Sequence, residues 1–176
     1  MGMRYKTINE AVLYNEEPIC ALSRQDMQTL AALGLETQEQ RTRLCVHESA
    51  ASLVHEMFII HTSDTYVRPH RHKTKSESFQ VLQGEGTLVL FNDQGKITET
   101  MRLGDYASGH TFYFKMPASV WHMLVIHSDV MVFKEVTQGP FDSDDCEFPE
   151  WAPAGRHCSE VPEYLETIKK KLPEHE

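Results

Sequence analysis

Residues 69–84 read PHRHKTKSESFQVLQG, and this stretch contains three side chains of the metal-ligand type. His70 and His72 are separated by one residue, which places both imidazoles on the same face of an extended strand. Glu77 follows at the start of the next apolar run, and its own face continues through Phe79. A carboxylate that points into an apolar interior needs a partner, because an unpaired buried charge is very costly. A bound cation would meet that need.

A third histidine lies downstream, and its neighbours show the same alternation. The face of His122 continues through Leu124 and Ile126, so three histidines and one glutamate can converge inside one barrel. A lone interior histidine is more often a hydrogen-bonded core residue than a ligand, and the first two histidines alone would leave both interpretations open. The remaining histidines are expected to have ordinary structural roles: His47, His55, His61, His110, His127, His157 and His175.

The zone from about residue 52 to residue 138 is a succession of short apolar runs. Turn signals such as Gly84 and the stretch 92–95 (NDQG) separate them. Short strands at this regular spacing predict an all-β sandwich or barrel, and no long helical pattern interrupts them. The predicted strands cover residues 57–60, 79–82, 87–91, 97–103, 111–115, 121–127 and 130–136.

The N-terminal zone, residues 1–51, is predicted to contain a helix and a first strand. Ser23 and Asp26 resemble a capping pair at a helix start, and Gly34 is the expected end of that helix. Residues 44–46 are the expected strand. Together with the zones that follow, this extension makes one predicted domain over residues 1–176.

The C-terminal zone, residues 139–176, begins with an acidic stretch that is too irregular for a strand and too aromatic for disorder. We expect residues 139–155 to form an ordered strap on the barrel. A final helix is predicted to begin near Ser159, because Pro162 suits a first helical turn. Its apolar stripe consists of Val161, Tyr164, Leu165, Ile168 and Leu172.

Composition excludes several classes of partner. Acidic residues outnumber basic ones by 26 to 17, and the formal charge of −9 argues against nucleic acid or an anionic membrane. No apolar run approaches the roughly 20 residues that span a bilayer, and no secretory signal is evident. The four cysteines never form a CxxC pair, which favours free thiols in a reducing cytoplasm, although a bridge between Cys146 and Cys158 stays open.

The complete arrangement resembles the two motifs of the cupin superfamily. Residues 70–77 followed by Gly84 match the first motif, and residues 117–122 match the second more loosely, because Ser119 stands where many cupins have glycine. The resemblance implies a double-stranded β-helix, or jelly roll. It also implies the metal ligands His70, His72, Glu77 and His122.

A closer resemblance covers most of the chain. Residues 66–72, 117–122, 139–141 and 151–153 are similar to the WbuC-type cupin-fold metalloproteins. Such proteins occur in bacterial gene clusters for O-antigen or other surface polysaccharides. The resemblance implies a metal-binding cupin and supplies no established reaction.

Three neutral imidazoles and one carboxylate suit a divalent Fe, Mn, Ni, Co or Zn ion, and four protein ligands leave a coordination position open. The first functional hypothesis is a metalloenzyme acting on a small molecule, such as a sugar derivative in polysaccharide synthesis, by isomerisation or epimerisation. A metal-dependent dioxygenase is the second hypothesis. A metal-dependent ligand-binding or regulatory module without catalysis is the third.

Four further residues are candidates for the site. Arg68 is expected to meet an anionic substrate, and Trp121 to present an aromatic face to a sugar ring. Glu135 and Tyr113 are the candidate catalytic residues, with Glu135 as proton acceptor. Each also has a structural alternative, as a salt-bridge or packing residue. The apolar run 57–60 offers surface to bury at an exposed strand edge, and we therefore expect a homodimer.

Overall fold

The computed structural model describes residues 3–173 and is dominated by β-strands. His175 lies outside the described residues. The strands and helices follow one another along the chain as β1 (Tyr5–Asn9), β2 (Val12–Asn15), α1 (Arg24–Glu36), β3 (Arg41–Cys45), β4 (Val54–Thr62), β5 (Arg71–His72), β6 (Glu77–Gln83), β7 (Glu85–Phe91), β8 (Ile97–Gly104), β9 (Tyr113–Met116), β10 (Trp121–Ile126), β11 (Val130–Gln138), β12 (Cys146–Glu147) and α2 (Val161–Lys169).

The strands form two main sheets that enclose one interior. The larger sheet has seven strands in the order β1-β2-β3-β4-β11-β6-β9, and the smaller has the order β10-β7-β8. All of these neighbours are antiparallel except β2 and β3. This is the all-β arrangement that the strand spacing predicts, and each barrel strand lies where an apolar run was identified.

Side chains from both sheets fill the interior between them. Phe79 and Phe133 come from the larger sheet, and Leu88, Leu124 and Ile126 come from the smaller one. Alternate residues of β6 are buried, which confirms that Glu77 shares its face with this core. The same alternation puts His122 on the inner face of β10, as its sequence predicts.

The outer face of β10 is buried as well, because the C-terminal segment covers it. Trp121, Met123 and Val125 pack against α2, and all six residues of this strand are therefore buried. Pro162 lies in the first turn of α2, and the predicted apolar stripe of that helix faces the strand. Gly95 has φ 75°, and a Cβ there would lie 2.6 Å from the Trp151 ring, so the strap also packs on the turn before β8.

The N-terminal zone contains more structure than the sequence predicted. A capping box between Ser23 and Asp26 starts α1, as expected. The helix does not end at Gly34, however, and continues to Glu36. A Cβ on Gly34 would lie 3.4 Å from the backbone nitrogen of Thr42, so this glycine lies where α1 packs closely on β3. The hairpin β1–β2 was not predicted, since its short strands alternate without a clear apolar face.

The surface from which pairing of two copies was inferred is covered within one chain. Strand β4 lies between β3 and β11, and Met57, Ile59 and Ile60 are buried there. The run 57–60 therefore gives no support to the expected homodimer, which stays a prediction.

Two further features concern the cysteines and the helices. All four cysteines are free. Within residues 3–173, neither helix is long and apolar enough to cross a bilayer.

The packing of α1 generates a stability prediction. Leu30 is fully buried between α1 and strands β3 and β4, so Leu30→Ala should lower the free energy of unfolding by about 2–5 kcal/mol. Leu35 lies on the same helix and is 52% exposed, so Leu35→Ala should change the free energy of unfolding by no more than about 0.5 kcal/mol. Urea denaturation followed by circular dichroism measures both values, and equal losses would contradict the assigned packing.

Candidate metal centre

Backbone pairing holds two of the predicted ligands side by side. The N–H of His70 donates to the carbonyl of His122 at 3.0 Å, and the N–H of His122 donates back at 2.9 Å. The two imidazole centroids lie 4.3 Å apart as a result. The segment before β5 and the start of β10 thus present their imidazoles at one place in the barrel.

Hydrogen bonds fix which nitrogen of each ring faces the centre. Nδ1 of His70 lies 2.9 Å from the carbonyl of Arg68, and Nδ1 of His122 lies 2.9 Å from the carbonyl of Val120. A carbonyl oxygen only accepts, so each Nδ1 carries the hydrogen. In the neutral rings Nε2 therefore keeps its lone pair, which is the form that ligates metals.

Glu77 completes a compact cluster at the start of β6. One ligand atom each from His70, Glu77 and His122 lies within 4.8 Å of the others. The Glu77 side chain is 3% exposed. Its Oε2 lies 3.4 Å from Nε2 of His122, and its Oε1 lies 2.5 Å from Nε2 of His72. The three histidines of the two sequence motifs thus lie around one carboxylate.

Asp145 is a partner of the cluster that the sequence analysis missed. Its Oδ2 lies 3.2 Å from Nδ1 of His72, and its Oδ1 accepts from the amide of Thr74 at 2.9 Å and from the Thr74 hydroxyl at 2.5 Å. A carboxylate behind a metal-type histidine fixes the orientation and tautomer of the ring. Asp145 belongs to the acidic strap, where nothing in the sequence distinguishes it from its neighbours.

Burial and the mutual charges set the protonation of the cluster. Burial lowers the pKa of His70 to about 3, so this ring is neutral. Burial alone would raise the pKa of Glu77, but the contacts with His122 and His72 outweigh it and hold the pKa well below its usual range. Burial likewise lowers the pKa of His72, but the contacts with Glu77 outweigh it and the pKa is raised.

Two buried atoms of the cluster show that it fits a cation. Oε2 of Glu77 and Nε2 of His122 are enclosed without any hydrogen-bond partner. Both atoms carry lone pairs, and they face each other at 3.4 Å. Two buried acceptors that face each other are unfavourable unless a positive charge lies between them, either a proton on the imidazole or a bound cation. The donor set of imidazole nitrogens and one carboxylate suits a divalent transition metal.

The loop before β10 closes on the ligand segment. Ser119 has φ 67°, and its amide donates to the carbonyl of His72 at 2.6 Å. A left-handed backbone at this position accounts for the glycine that many cupins have there. Serine accepts the conformation here, and its hydroxyl donates to the carbonyl of Lys73 at 3.2 Å.

A cavity of about 810 Å³ adjoins the cluster. The four candidate ligands lie in its wall, together with Glu135 and His61. The strap supplies five further lining residues, and β3 supplies three. A cavity of this volume is large enough for a ligand of sugar size.

Glu135 faces the same interior as Glu77. It pairs with Phe79 of β6, whose side chain is part of the core. Burial, and secondarily the charge of Glu77, raises the pKa of Glu135 to about 8. A carboxyl with this pKa exchanges a proton near neutral pH, so the arrangement is suited to acid–base chemistry.

Of the other three predicted site residues, only Arg68 lines the cavity. Arg68 lines the cavity, but its guanidinium donates to the carbonyls of Ala154 and Pro149 in the strap. Tyr113 is 51% exposed on the outer side of β9 and does not line the cavity. Trp121 is buried under the strap, where its Nε1 donates to Asp93 at 2.9 Å.

Sequence comparisons give one family match. A family described as a domain of unknown function, DUF6016, matches residues 22–103, which contain three of the four candidate ligands. No curated protein sequence matches the chain.

Solved structures show the fold more clearly. Protein SO0799 from Shewanella oneidensis is 17% identical with a TM-score of 0.53, over 77% of this chain and 89% of that one. Salicylate 1,2-dioxygenase from Pseudoaminobacter salicylatoxidans is 12% identical with a TM-score of 0.54, over 73% and 37%. CapF, solved with the inhibitor 3-isopropenyl-tropolone, is 17% identical with a TM-score of 0.50, over 65% and 33%.

These likenesses define the class of the protein by its fold. The chain is a cupin-fold protein: a jelly roll of antiparallel strands flanked by two helices, with a His/Glu cluster of metal-binding type inside. It spans about a third of the dioxygenase and of CapF, and at these identities the likeness carries the fold alone.

The contact between Asp145 and His72 can be tested directly. Asp145→Asn should weaken binding of a divalent metal by about 10–100-fold, because the ring of His72 loses the carboxylate that orients it. Asp144 is its exposed neighbour, and Asp144→Asn should leave the affinity unchanged. Competition with a chromophoric chelator measures both, and equal affinities for the two variants would remove Asp145 from the site.

Proposed function

We propose that the chain is a metal-dependent cupin that binds or transforms a small molecule. His70, His72, Glu77 and His122 would hold one divalent transition metal from the group Fe, Mn, Ni, Co and Zn. The observation that carries this proposal is the pair of buried, unpartnered acceptors on Glu77 and His122. When bound, such a metal polarises a carbonyl or hydroxyl oxygen of a ligand that enters the cavity.

The chain's own residues favour proton transfer as the reaction. Glu135 lies in the cavity wall, and its raised pKa of about 8 suits it to remove a proton from a carbon next to a carbonyl and to return it. Removal and return of one proton is the chemistry of isomerisation and epimerisation. Tyr113 is exposed and does not line the cavity, so it does not share this role.

The substrate class in this proposal follows from the sequence motifs. The similarity to WbuC-type proteins supports a sugar derivative in the biosynthesis of O-antigen or another bacterial surface polysaccharide, and hence a cytoplasmic protein. The cavity volume of about 810 Å³ is consistent with that class. The homodimer belongs to the same proposal.

Two alternatives use the same ligand set. A metal-dependent dioxygenase is favoured by the open coordination position that four protein ligands leave, and a dioxygenase is among the solved structures of similar fold. A non-catalytic ligand-binding module would use the cavity without Glu135 as a proton carrier. Proton exchange into a bound sugar or keto acid separates the first proposal from both.

Metal content is the first test of the proposed function. Freshly purified protein should contain about one transition metal per chain, and His72→Ala should greatly weaken its retention, since this change removes one of the four proposed ligands. Elemental analysis by mass spectrometry measures the stoichiometry.

The control is His157→Ala, because His157 is exposed and outside the cavity lining. Its metal content should equal that of the wild type. Full occupancy after replacement of all four ligands by alanine would rule out the site.

Access to the metal is the second test. With Co(II) at the site, a small hydroxy acid should change the visible spectrum, because an open position faces the cavity. Glu135→Gln should bind the same acid but fail to exchange deuterium from solvent into a sugar or keto acid that the wild type exchanges. A spectrum that stays fixed would indicate a closed, structural metal, and exchange that survives in Glu135→Gln would exclude Glu135 as the proton carrier.

A further inference from the structure

Two arginines of β3 face the cavity that contains the His/Glu cluster. Arg41 pairs across the sheet with His61, and Arg43 pairs with Ile59. All four residues line the cavity, so both guanidinium groups project from the inner side of the sheet. Same-face neighbours on a strand are about 7 Å apart, and the two positive charges are therefore close to each other.

Protein carboxylates balance these two charges only weakly: the charge of Arg43 acts on Glu135 in the same wall, and Glu39 lies beside Arg41. Among residues 3–173, no carboxylate lies within ion-pair distance of the Arg43 guanidinium, which is exposed to the cavity. Arg41 has Glu39 at 3.9 Å, the outer limit of an ion pair. Elsewhere on the chain, Arg71 and Lys134 form close ion pairs with carboxylates, at 2.6 Å and 2.5 Å. These ion pairs join segments of the fold.

The two guanidinium charges act on the neighbouring side chains of this wall. Burial lowers the pKa of His61 to about 3, and the charges of Arg41 and Arg43 add to that effect. Burial lowers the pKa of Arg41 itself, and the charge of Arg43 contributes again. Nδ1 of the enclosed His61 ring has no hydrogen-bond partner. Like charges held together beside a cavity raise the affinity of that cavity for an anion.

We propose that Arg41 and Arg43 form an anion-binding wall, and that the ligand of the cavity is a sugar-sized molecule with a phosphate or carboxylate group. This inference rests on the proposed function for the other end of the ligand, where a neutral oxygen would approach the metal. Guanidinium groups suit both anions, because their planar fork donates two parallel hydrogen bonds to paired oxygens.

Arg68 does not supply this wall, although the sequence analysis assigned it the anion. Two of its nitrogens are engaged with the carbonyls of Ala154 and Pro149, and its plane lies over Phe148 at 4.7 Å. These contacts fasten the strap beside the cavity. Arg43 has none of them, and its guanidinium is the group that a ligand can reach.

Calorimetric titration with three probes of similar size tests the wall: D-glucose 6-phosphate, D-glucuronate and D-glucose. At least one anion should bind Co(II)-loaded wild type about tenfold or more tightly than glucose. Arg43→Gln should lose that preference, and Arg43→Lys should keep part of it, because lysine retains the charge without the fork. A preference for the phosphate or for the carboxylate would support the wall and identify the group it takes.

Arg4→Gln is the matched control, since Arg4 is 71% exposed, pairs with Glu17 at 3.5 Å and does not line the cavity. It removes the same charge and should leave all three affinities unchanged. The inference is overturned if neither anion binds at millimolar concentration, if Arg43→Gln keeps the preference, or if Arg4→Gln loses as much of it.

The same titrations on metal-free protein separate the two proposals. If Co(II) fails to bind while the preference for an anion still depends on Arg43, the metal-dependent function fails and the anion-binding wall stands. If Co(II) binds at about one per chain while Arg43→Gln binds the anions as the wild type does, the wall fails and the metal site stands.

Discussion

A negative charge enclosed in an apolar barrel is the constraint on which the rest of the structure depends. Glu77 is 3% exposed, and its face continues into the packed aromatic core at Phe79. Such a charge is tolerated only where positive or donor groups surround it. The antiparallel pairing of the His70 segment with β10, and the bend between His72 and Glu77, bring three imidazoles to that carboxylate. The candidate metal centre therefore depends on the strand pairing of the fold, and the burial of Glu77 in the fold depends on the histidines of that centre.

The C-terminal strap extends this constraint to the far end of the chain. Strand β12 pairs with β5, so that Cys146 lies opposite His72. Asp145 contacts the same histidine, while Arg71 is bound to Glu147 at 2.6 Å and lies 4.4 Å from the Trp121 ring. A segment that has almost no regular secondary structure is thus held by ion pairs, short backbone pairing and aromatic packing. Its aromatic composition explains why an acidic stretch of this kind is ordered.

Strand periodicity made much of the centre predictable, and it also explains why two candidate residues lie outside the cavity. A period of two fixes the inner face once one residue of a strand is known, which placed Glu77 and His122 correctly. Applied to β9, the same rule puts Tyr113 outside, since Phe114 and Met116 are the buried residues. Trp121 is likewise out of phase with His122. Asp145 and the arginines of β3 lie in polar stretches without an apolar alternation, so no periodicity was available to orient them.

One contact described above links the order of the C-terminal segment to the occupancy of the barrel. Asp145 holds His72 from behind, and β12 is paired with the strand that carries this histidine. Any ligand that binds more tightly when His72 is fixed must, by thermodynamic reciprocity, also favour the docked strap over a detached one. The strap and the centre then share one coupling free energy. Hydrogen exchange at the amides of Lys73 and Thr74, which donate to Asp145, would slow as the centre fills.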